Sequence, residues 1–553
     1  MILSLVSWLF FATVSCVVLV AVLVLALYLK FSRTPRGTRV VSTGHAHHAV
    51  VAQPAVRVAQ AIATGSLSSA GATASAIARL TAVNPIVNAV VATRFDQARG
   101  EAAAVDALSA SAKAKLRLCG VPMTVKEAIG VTGMPNASGL VARQHLRAEQ
   151  DATVVKRLRE HGVVVLGVTN TSELCMWQES YNQLYGLASN PHDTSRTVGG
   201  SSGGEAAAVA AGISMIGVGS DIGGSIRMPA FFNGLFGHKP SGGAIPNSGQ
   251  FPIASGRALR YLTTGPITRH ASDLWPMFEI MAGPDGHDPM CREMRFGDPH
   301  KLDVSKLTVY VVTGISIPGM RVAQSLLDAQ ERAASAFERA GARVVRDHAL
   351  DLSMSVDIWA TLLADAGGTT FRQHMNNDHK GEREAPARLD RVWHYLLERL
   401  GLGDSPHTLP ALGLTAIERL QNLPIAEARK PAIRERARAL KKELEGMLGA
   451  FDETARALKA PAHGQSILLF PPHTQPAPRH CMPLFFPIQW VMTAIWNSME
   501  LPSTQVPLGH DAHGLPVGVQ VIAGEGGDHL TIGAALFLER ELGGWTEIDA
   551  WRD

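Results

Sequence analysis

The sequence lacks the features that mark several common protein classes. Its five cysteines (Cys16, Cys119, Cys175, Cys291 and Cys481) lie far apart and form no C-x-x-C pair. An odd, scattered set argues against a disulfide framework or a zinc site and fits free thiols in a reducing compartment. An excess of one charge is also missing. The 51 basic and 48 acidic residues leave +3, with no basic footprint for a nucleic acid. There is no internal repeat and no Walker loop, and Gly217-x-Gly219 misses the dinucleotide pattern because Ile222 stands at the third glycine position.

Charge is absent altogether from residues 2–29. As a helix, a run of about 28 residues reaches roughly 40 Å, against about 30 Å of membrane hydrocarbon. A cleaved signal peptide would have a basic start, a shorter apolar run and a small-x-small end, and none is here. Residues 1–30 are therefore expected to form a retained, single-pass N-terminal transmembrane anchor. Lys30, Arg33, Arg36 and Arg39 then place the rest on the cytosolic side by the positive-inside rule. Two glycosylation-type sequons, at Asn136 and Asn170, fall inside the expected core, where glycans would disrupt packing. Residues 31–49 read as a juxtamembrane linker. His45, His47 and His48 have no carboxylate or cysteine company, so a solvated tether suits them better than a metal site.

The whole chain is 46% hydrophobic, and what remains, residues 50–553, reads as one large catalytic domain. An alanine-rich helical pattern runs over 50–114, broken at Asn84-Pro85. Asp151 is expected to cap a helix that ends at Gly162, before a buried strand over 163–168. A helix over 202–211 and a strand over 213–218 follow, then a strand over 307–312 and a long helix over 320–340. Such alternation predicts an α/β fold with a parallel or mixed sheet covered by helices. Residues 389–400 form an amphipathic stripe that suits either the core or, with Leu409, Leu412, Leu414 and Ile417 nearby, a membrane-docking face.

The informative residues are two serines, each preceded by paired glycines: Ser201 in Gly199-Gly200-Ser201-Ser202-Gly203-Gly204, and Ser225 in Asp221-Ile222-Gly223-Gly224-Ser225-Ile226-Arg227. Dense glycine lets a backbone approach a reacting group and turn several N–H groups toward one point. A hydroxyl beside such donors suits acyl transfer. Ser225 is the candidate nucleophile, at the start of an expected helix over 225–232. The N–H groups of Ile222, Gly223, Gly224 and Ser225 are the candidate oxyanion donors. Lys126, at the end of an apolar strand, loses hydration there and can act as a neutral base. Ser201, held between Lys126 and Ser225, can relay the proton, while Ser202, Asp221 and Arg227 order the loop.

The glycines also match G-x-S-x-G, the elbow of an α/β-hydrolase esterase, with Ser201 or Ser202 at its centre. That alternative needs a strand running into the serine, but Thr194 to Thr197 is polar. It also needs a later Asp and His pair, which no residue context distinguishes.

The stretch from Gly120-Val121-Pro122 to Lys239-Pro240 resembles the amidase signature family, carried by both glycine–serine motifs and by a lysine 75 residues before the first serine. The likeness continues through Pro507-Leu508-Gly509 and Gly514 to Gln520. Within the family it is greatest to the membrane-bound fatty-acid amide hydrolases, the second vertebrate type above all, through Ser172 to Trp177, Met228 to Gly234 and the N-terminal span. The resemblance implies an amidase signature fold, a twisted mixed β-sheet inside helices. It implies a Ser-Ser-Lys triad of Ser225 as nucleophile, Ser201 as bridge in a cis peptide, and Lys126 as base and later acid, acting through an acyl-enzyme. Met176 would line the substrate beside Ser201. It implies no cofactor and no metal, a long-chain lipid amide (a primary amide or an N-acylethanolamine) as substrate, a membrane as partner, and it admits a homodimer. Residues 452–465 depart from those relatives as an insertion. Two further readings stay open. One is an amidase of other specificity, toward small amides or as a glutamine amidotransferase-type subunit. The other is a silent, membrane-tethered binding protein, against which every triad position is filled.

Overall fold

The computed structural model describes residues 50–346, 348–376, 405–421 and 423–548. The expected anchor, the histidine-bearing linker and the stripe over 389–400 lie outside the described residues. Among those described, no helix is long and apolar enough to cross a membrane. Cys119, Cys175 and Cys291 are free thiols.

Eleven strands form one central sheet. In chain order they are β1 (Val90–Thr93), β2 (Pro122–Lys126), β3 (Val164–Thr169), β4 (Ile216–Asp221), β5 (Phe236–Lys239), β6 (Thr263–Thr268), β7 (Thr308–Val311), β8 (Arg343–Val345), β9 (Ser466–Phe470), β10 (Ser503–His510) and β11 (Pro516–Ile522). Their spatial order is β1-β3-β2-β4-β6-β5-β10-β11-β9-β7-β8. The steps β3-β2-β4 and β9-β7-β8 are parallel and the others antiparallel, so the sheet is mixed. β2, β3 and β4 are buried along their whole length. The Val-Val-Leu-Gly-Val run of β3 suits a sheet covered on both faces, where alternation is not needed.

Several sequence expectations hold with small shifts. The strand over 163–168 is β3, that over 307–312 is β7, and the helices over 202–211 and 320–340 are Gly203–Ala210 and Gln324–Arg339. Four do not hold. The alanine-rich pattern is not one helical region: a turn over 64–68 separates helices Ala55–Ala63 and Ser69–Val87, and β1 separates the latter from Phe95–Asp106, because Val90 and its neighbours pair with β3. Pro85 does not break the second helix, which has little length left beyond it. There the Asn84 side chain accepts from the Ala89 and Val90 N–H groups, and Asn88 (φ +47°) ends the helix in the left-handed region.

Asp151 is not a helix cap. The helix is Thr153–Glu160 with Ala152 before it, while Asp151 accepts from Thr132 N–H and Oγ1 and pairs with Arg159, each at 2.8 Å. The strand expected over 213–218 begins three residues later as β4. Residues 212–214 are used to leave the preceding helix, with Gly212 at φ +70° and the Ile213 N–H on the Ala208 carbonyl. That shift brings the strand end to Asp221. The helix expected over 225–232 is Arg227–Phe232, so Ser225 lies in the turn before it. The segment expected as an insertion contains a small hairpin, Ala450–Asp452 against Ala457–Lys459.

Gly167 in β3 lies opposite Thr93 on one side and Thr124 on the other. A Cβ there would overlap the Ala92 carbonyl oxygen, a backbone atom that cannot swing away. Gly167→Ala is therefore expected to destabilise the protein by about 3 kcal/mol, the cost of overpacking a rigid site. Thermal unfolding checks it, and an unchanged midpoint would contradict the tightness of this three-strand contact.

Candidate active site

Lys126 is the last residue of β2, between β3 and β4 in the sheet, and is fully buried. Its Nζ donates to Ser201 Oγ at 2.6 Å and to Ser220 Oγ, on β4, at 3.1 Å. Burial drives its proton affinity below that of an ordinary lysine, against the opposing pull of the Cys175 thiol and the Asp221 and Glu205 carboxylates. Glu205 stands in the first turn of the helix after Ser202 and accepts from Thr124 and Thr169, the residues that flank Lys126 on β2 and β3. Burial pushes its carboxyl up to about 8, despite those hydrogen bonds and the nearby Lys126.

The second serine sits on a turn organised by Asp221, at the end of β4. Asp221 accepts from Gly224 N–H at 2.7 Å and Ile226 N–H at 3.0 Å, and binds Arg227 through both oxygens, at 2.9 and 3.1 Å. Both side chains are fully buried. Burial alone would raise the Asp221 carboxyl, but the Arg227 guanidinium and the backbone donors outweigh it and hold it far below the usual carboxylate range. Arg227 also donates to the Thr493 carbonyl, Gln520 Oε1 and Asn497 Oδ1. Gly224 has φ +120°, and a Cβ there would collide with Thr493, so this turn requires glycine.

The geometry sorts the expected oxyanion donors. The Gly224 N–H is committed to Asp221, which corrects the expectation that it points at a reacting oxygen. The N–H groups of Ile222, Gly223 and Ser225 make no hydrogen bond with another described residue. Ser225 is 9% exposed, and its Oγ makes no hydrogen bond with Ser201 Oγ, although the Ser202 N–H donates to the Ser225 carbonyl at 3.2 Å. Lys126 and Ser201 are thus joined directly, and Ser225 lies beside them without the hydroxyl contact that the relay was expected to show. The Gly200–Ser201 peptide is cis. Ser202 Oγ donates to the Ser220 carbonyl at 3.3 Å, tying its loop to β4.

The elbow alternative is not met. The strand before Ser201 is Asp193–Thr197, in a separate two-stranded ribbon, and the partner of Ser201 is a lysine. Asn170 is fully buried and bonded to the carbonyls of Asn88 and Gly186, which leaves no room for a glycan.

A cavity of about 300 Å³ reaches this site. Ser220, Ile222, Cys175 and Met176 line its inner end, and Phe251, Trp359, Leu363, Phe371, Leu414 and Ile417 are among its largely apolar walls. Met176 is where the expectation put it. Of the four residues linked to a docking face, Leu409 and Leu412 pack into a small core cluster with Leu140 and Met375, while Leu414 and Ile417 line the cavity. Trp359, Glu205, Ser220 and Cys175 escaped the sequence reading. Their approach to the site is made by strand pairing or by chain crossings too long for any local pattern to signal. Among the described residues no group of His, Cys, Asp or Glu could hold a metal ion.

Comparison with known proteins bears on this geometry. A family model described as Amidase matches residues 71–532. Fatty-acid amide hydrolase 2-A of Danio rerio is 41% identical over 509 residues, covering 89% of each chain. Fatty-acid amide hydrolase 2 of Homo sapiens is 40% identical over 482 residues, 85% of each. Among solved structures, 6-aminohexanoate cyclic dimer hydrolase in complex with substrate superposes with a TM-score of 0.70 at 24% identity, covering 89% of this chain and 97% of that one. A structure of fatty acid amide hydrolase gives 0.69 at 20% identity, covering 92% and 87%. At those identities the structural matches speak for the fold alone.

The Asp221–Arg227 pair gives a stability prediction. Asp221→Asn leaves a buried guanidinium without a counter-charge and is expected to cost about 3–5 kcal/mol at neutral pH. Because the folded pKa of Asp221 lies below its ordinary 3.8, the stabilisation is complete above that value and is lost as pH falls beneath it. Unfolding midpoints of the two proteins should therefore differ at pH 7 and converge in acid; a gap that stays constant would contradict the pairing.

Proposed function

Because this chain belongs to the amidase signature family and is an amidase, a hydrolase of linear amide C–N bonds, we propose that it hydrolyses fatty-acid amides with Lys126, Ser201 and Ser225 as its catalytic triad. One observation carries the proposal: a fully buried lysine, driven toward the uncharged form, donates to the hydroxyl of a serine whose neighbour is hydrogen-bonded to Ser225. The largely apolar cavity, lined by Ser220 and Ile222 next to this group, supports a long acyl chain as the bound portion. So does the similarity to proteins named fatty-acid amide hydrolase 2.

In this reading the neutral Lys126 amine takes a proton from Ser201 Oγ as Ser201 takes one from Ser225 Oγ. The Ser202 N–H already donates to the Ser225 carbonyl, which keeps the two serine-bearing segments side by side. The Ser225 oxygen attacks the amide carbonyl, and the N–H groups of Ile222, Gly223 and Ser225 receive the oxyanion. The lysine then returns its proton through Ser201 to the amide nitrogen, which leaves as the amine. Water repeats the sequence on the acyl-enzyme and frees the fatty acid. The uncharged segment over 2–29 serves as a membrane anchor, keeping a cytosolic domain beside substrates that partition into lipid.

Labelling with a fluorophosphonate probe tests the nucleophile and the substrate class together. Ser225→Ala should abolish labelling and lower amide hydrolysis by about 10³-fold or more. Long-chain primary amides and N-acylethanolamines should compete for the label better than short-chain amides. Labelling that survives Ser225→Ala overturns the nucleophile, and equal competition by short amides overturns the substrate class.

The role of Lys126 has its own test, because only an amide nitrogen must be protonated to leave. Lys126→Ala should slow an amide at least about tenfold more than its matched ester. For the unaltered enzyme, the ammonium cannot accept a proton, so kcat/KM should rise with pH through the depressed lysine pKa and level off below its ordinary 10.5. Equal losses on both substrates, or a flat profile between about pH 5 and 10, would remove the lysine from the proton path.

A further inference from the structure

The peptide between Ile222 and Gly223 is gripped from one side. The Trp359 indole Nε1–H, on the helix Ser355–Asp365, donates to the Ile222 carbonyl at 2.9 Å across 137 residues of sequence. Trp359 in turn packs edge-on against Trp490, with ring centroids 4.5 Å apart. A Cβ built on Gly223 would meet both rings at 3.7 Å, so the turn lies directly against this aromatic pair.

In a trans peptide the C=O and the N–H point in opposite directions. Fixing the Ile222 carbonyl therefore fixes the direction of the Gly223 N–H, away from the indole. The next peptide shows the same arrangement with its far end filled. Thr493 Oγ1 donates to the Gly223 carbonyl at 2.8 Å, and the opposite N–H, that of Gly224, is received by Asp221. Along this turn the Gly224 N–H is spent on structure, whereas the Gly223 N–H is aimed and unspent.

We infer that Trp359 is a positioning residue for amide hydrolysis: its indole N–H holds the Ile222–Gly223 peptide so that the Gly223 N–H faces the developing oxyanion. This rests on the proposed reading of the Ser225 site. A donor that needs no reorientation when charge develops is worth more than one that must turn to meet it. Trp359 is also a wall of the substrate cavity. The two roles separate in kinetics. A wall acts on binding, to a degree that varies with acyl length, while an aimed donor acts on the step in which the oxyanion forms.

Trp359→Phe keeps an aromatic wall and removes the N–H. It should lower kcat by about tenfold, less than the 10²–10³ of deleting an oxyanion donor, since the N–H remains but is no longer held. KM should stay within about twofold, and the kcat loss should be the same for short and long acyl amides. Affinity for an alkyl trifluoromethyl ketone, whose hemiketal carries the oxyanion, should fall in parallel with kcat. Placing 3-benzothienylalanine at 359, which is close to the indole in size and carries sulfur in place of the N–H, should reproduce the phenylalanine result even if that variant is poorly folded. Wild-type kcat in the benzothienyl protein, or a loss confined to KM and graded with chain length, overturns the inference. Ser225→Ala decides separately: if that variant stays active the reading of the site falls, whereas if it is dead and the benzothienyl protein is fully active, only the role of Trp359 is lost.

Discussion

The buried pair of Asp221 and Arg227 is the interaction on which the site depends. Asp221 closes the turn by taking the Gly224 and Ile226 N–H groups, and Arg227 ties that turn to the helix Val491–Ser498 and to Gln520 on β11. Asn497 completes the web by donating to both the carbonyl and the carboxylate of Asp221. Desolvating two charges is expensive, and it is tolerable here because both oxygens and the guanidinium nitrogens find partners. The gain is geometric: residues 222–225 have few conformations left, although two of them are glycine.

Around that fixed turn the electrostatics favour an uncharged amine. Lys126 has no solvent and no direct carboxylate partner in its hydrogen bonds; the hydroxyls of Ser201 and Ser220 and the Cys175 thiol surround it. A carboxylate placed against it would have restored the ammonium form. Instead Asp221 is neutralised by Arg227, and Glu205 is itself pushed toward its protonated form. An amine beside two hydroxyls, whose desolvation outweighs the pull of the nearby acidic groups, is a proton acceptor, which suits the chemistry proposed for it.

The apolar cavity meets this polar centre along a narrow seam. Ser220 and Ile222 line it from the sheet side, and Trp359 faces it while bonding to the Ile222 carbonyl. Substrate packing and the aim of the backbone donors therefore share one side chain. In the proposed reading, binding energy gained far from the scissile bond is in this way connected to the groups nearest to it.

The sequence alone determined the α/β class, the buried runs that became β3 and β7, and the lysine and two serines on which the proposal rests. Those are local signals: periodicity, glycine beside serine, and spacing along the chain. It failed where local propensity met a tertiary partner. Asn84-Pro85 read as a helix break, but the helix runs on to Val87, and the Asn84 side chain takes the N–H groups of the residues just beyond that end. Asp151 read as a cap, but Thr132 and Arg159 claimed its oxygens. Which of four neighbouring N–H groups is spent on structure, and which indole bonds the carbonyl of the adjacent peptide, was decided only in three dimensions. Hydrogen bonds between residues more than a hundred positions apart leave no pattern in a one-dimensional string, because their energy depends on angles and distances that only the packed chain supplies.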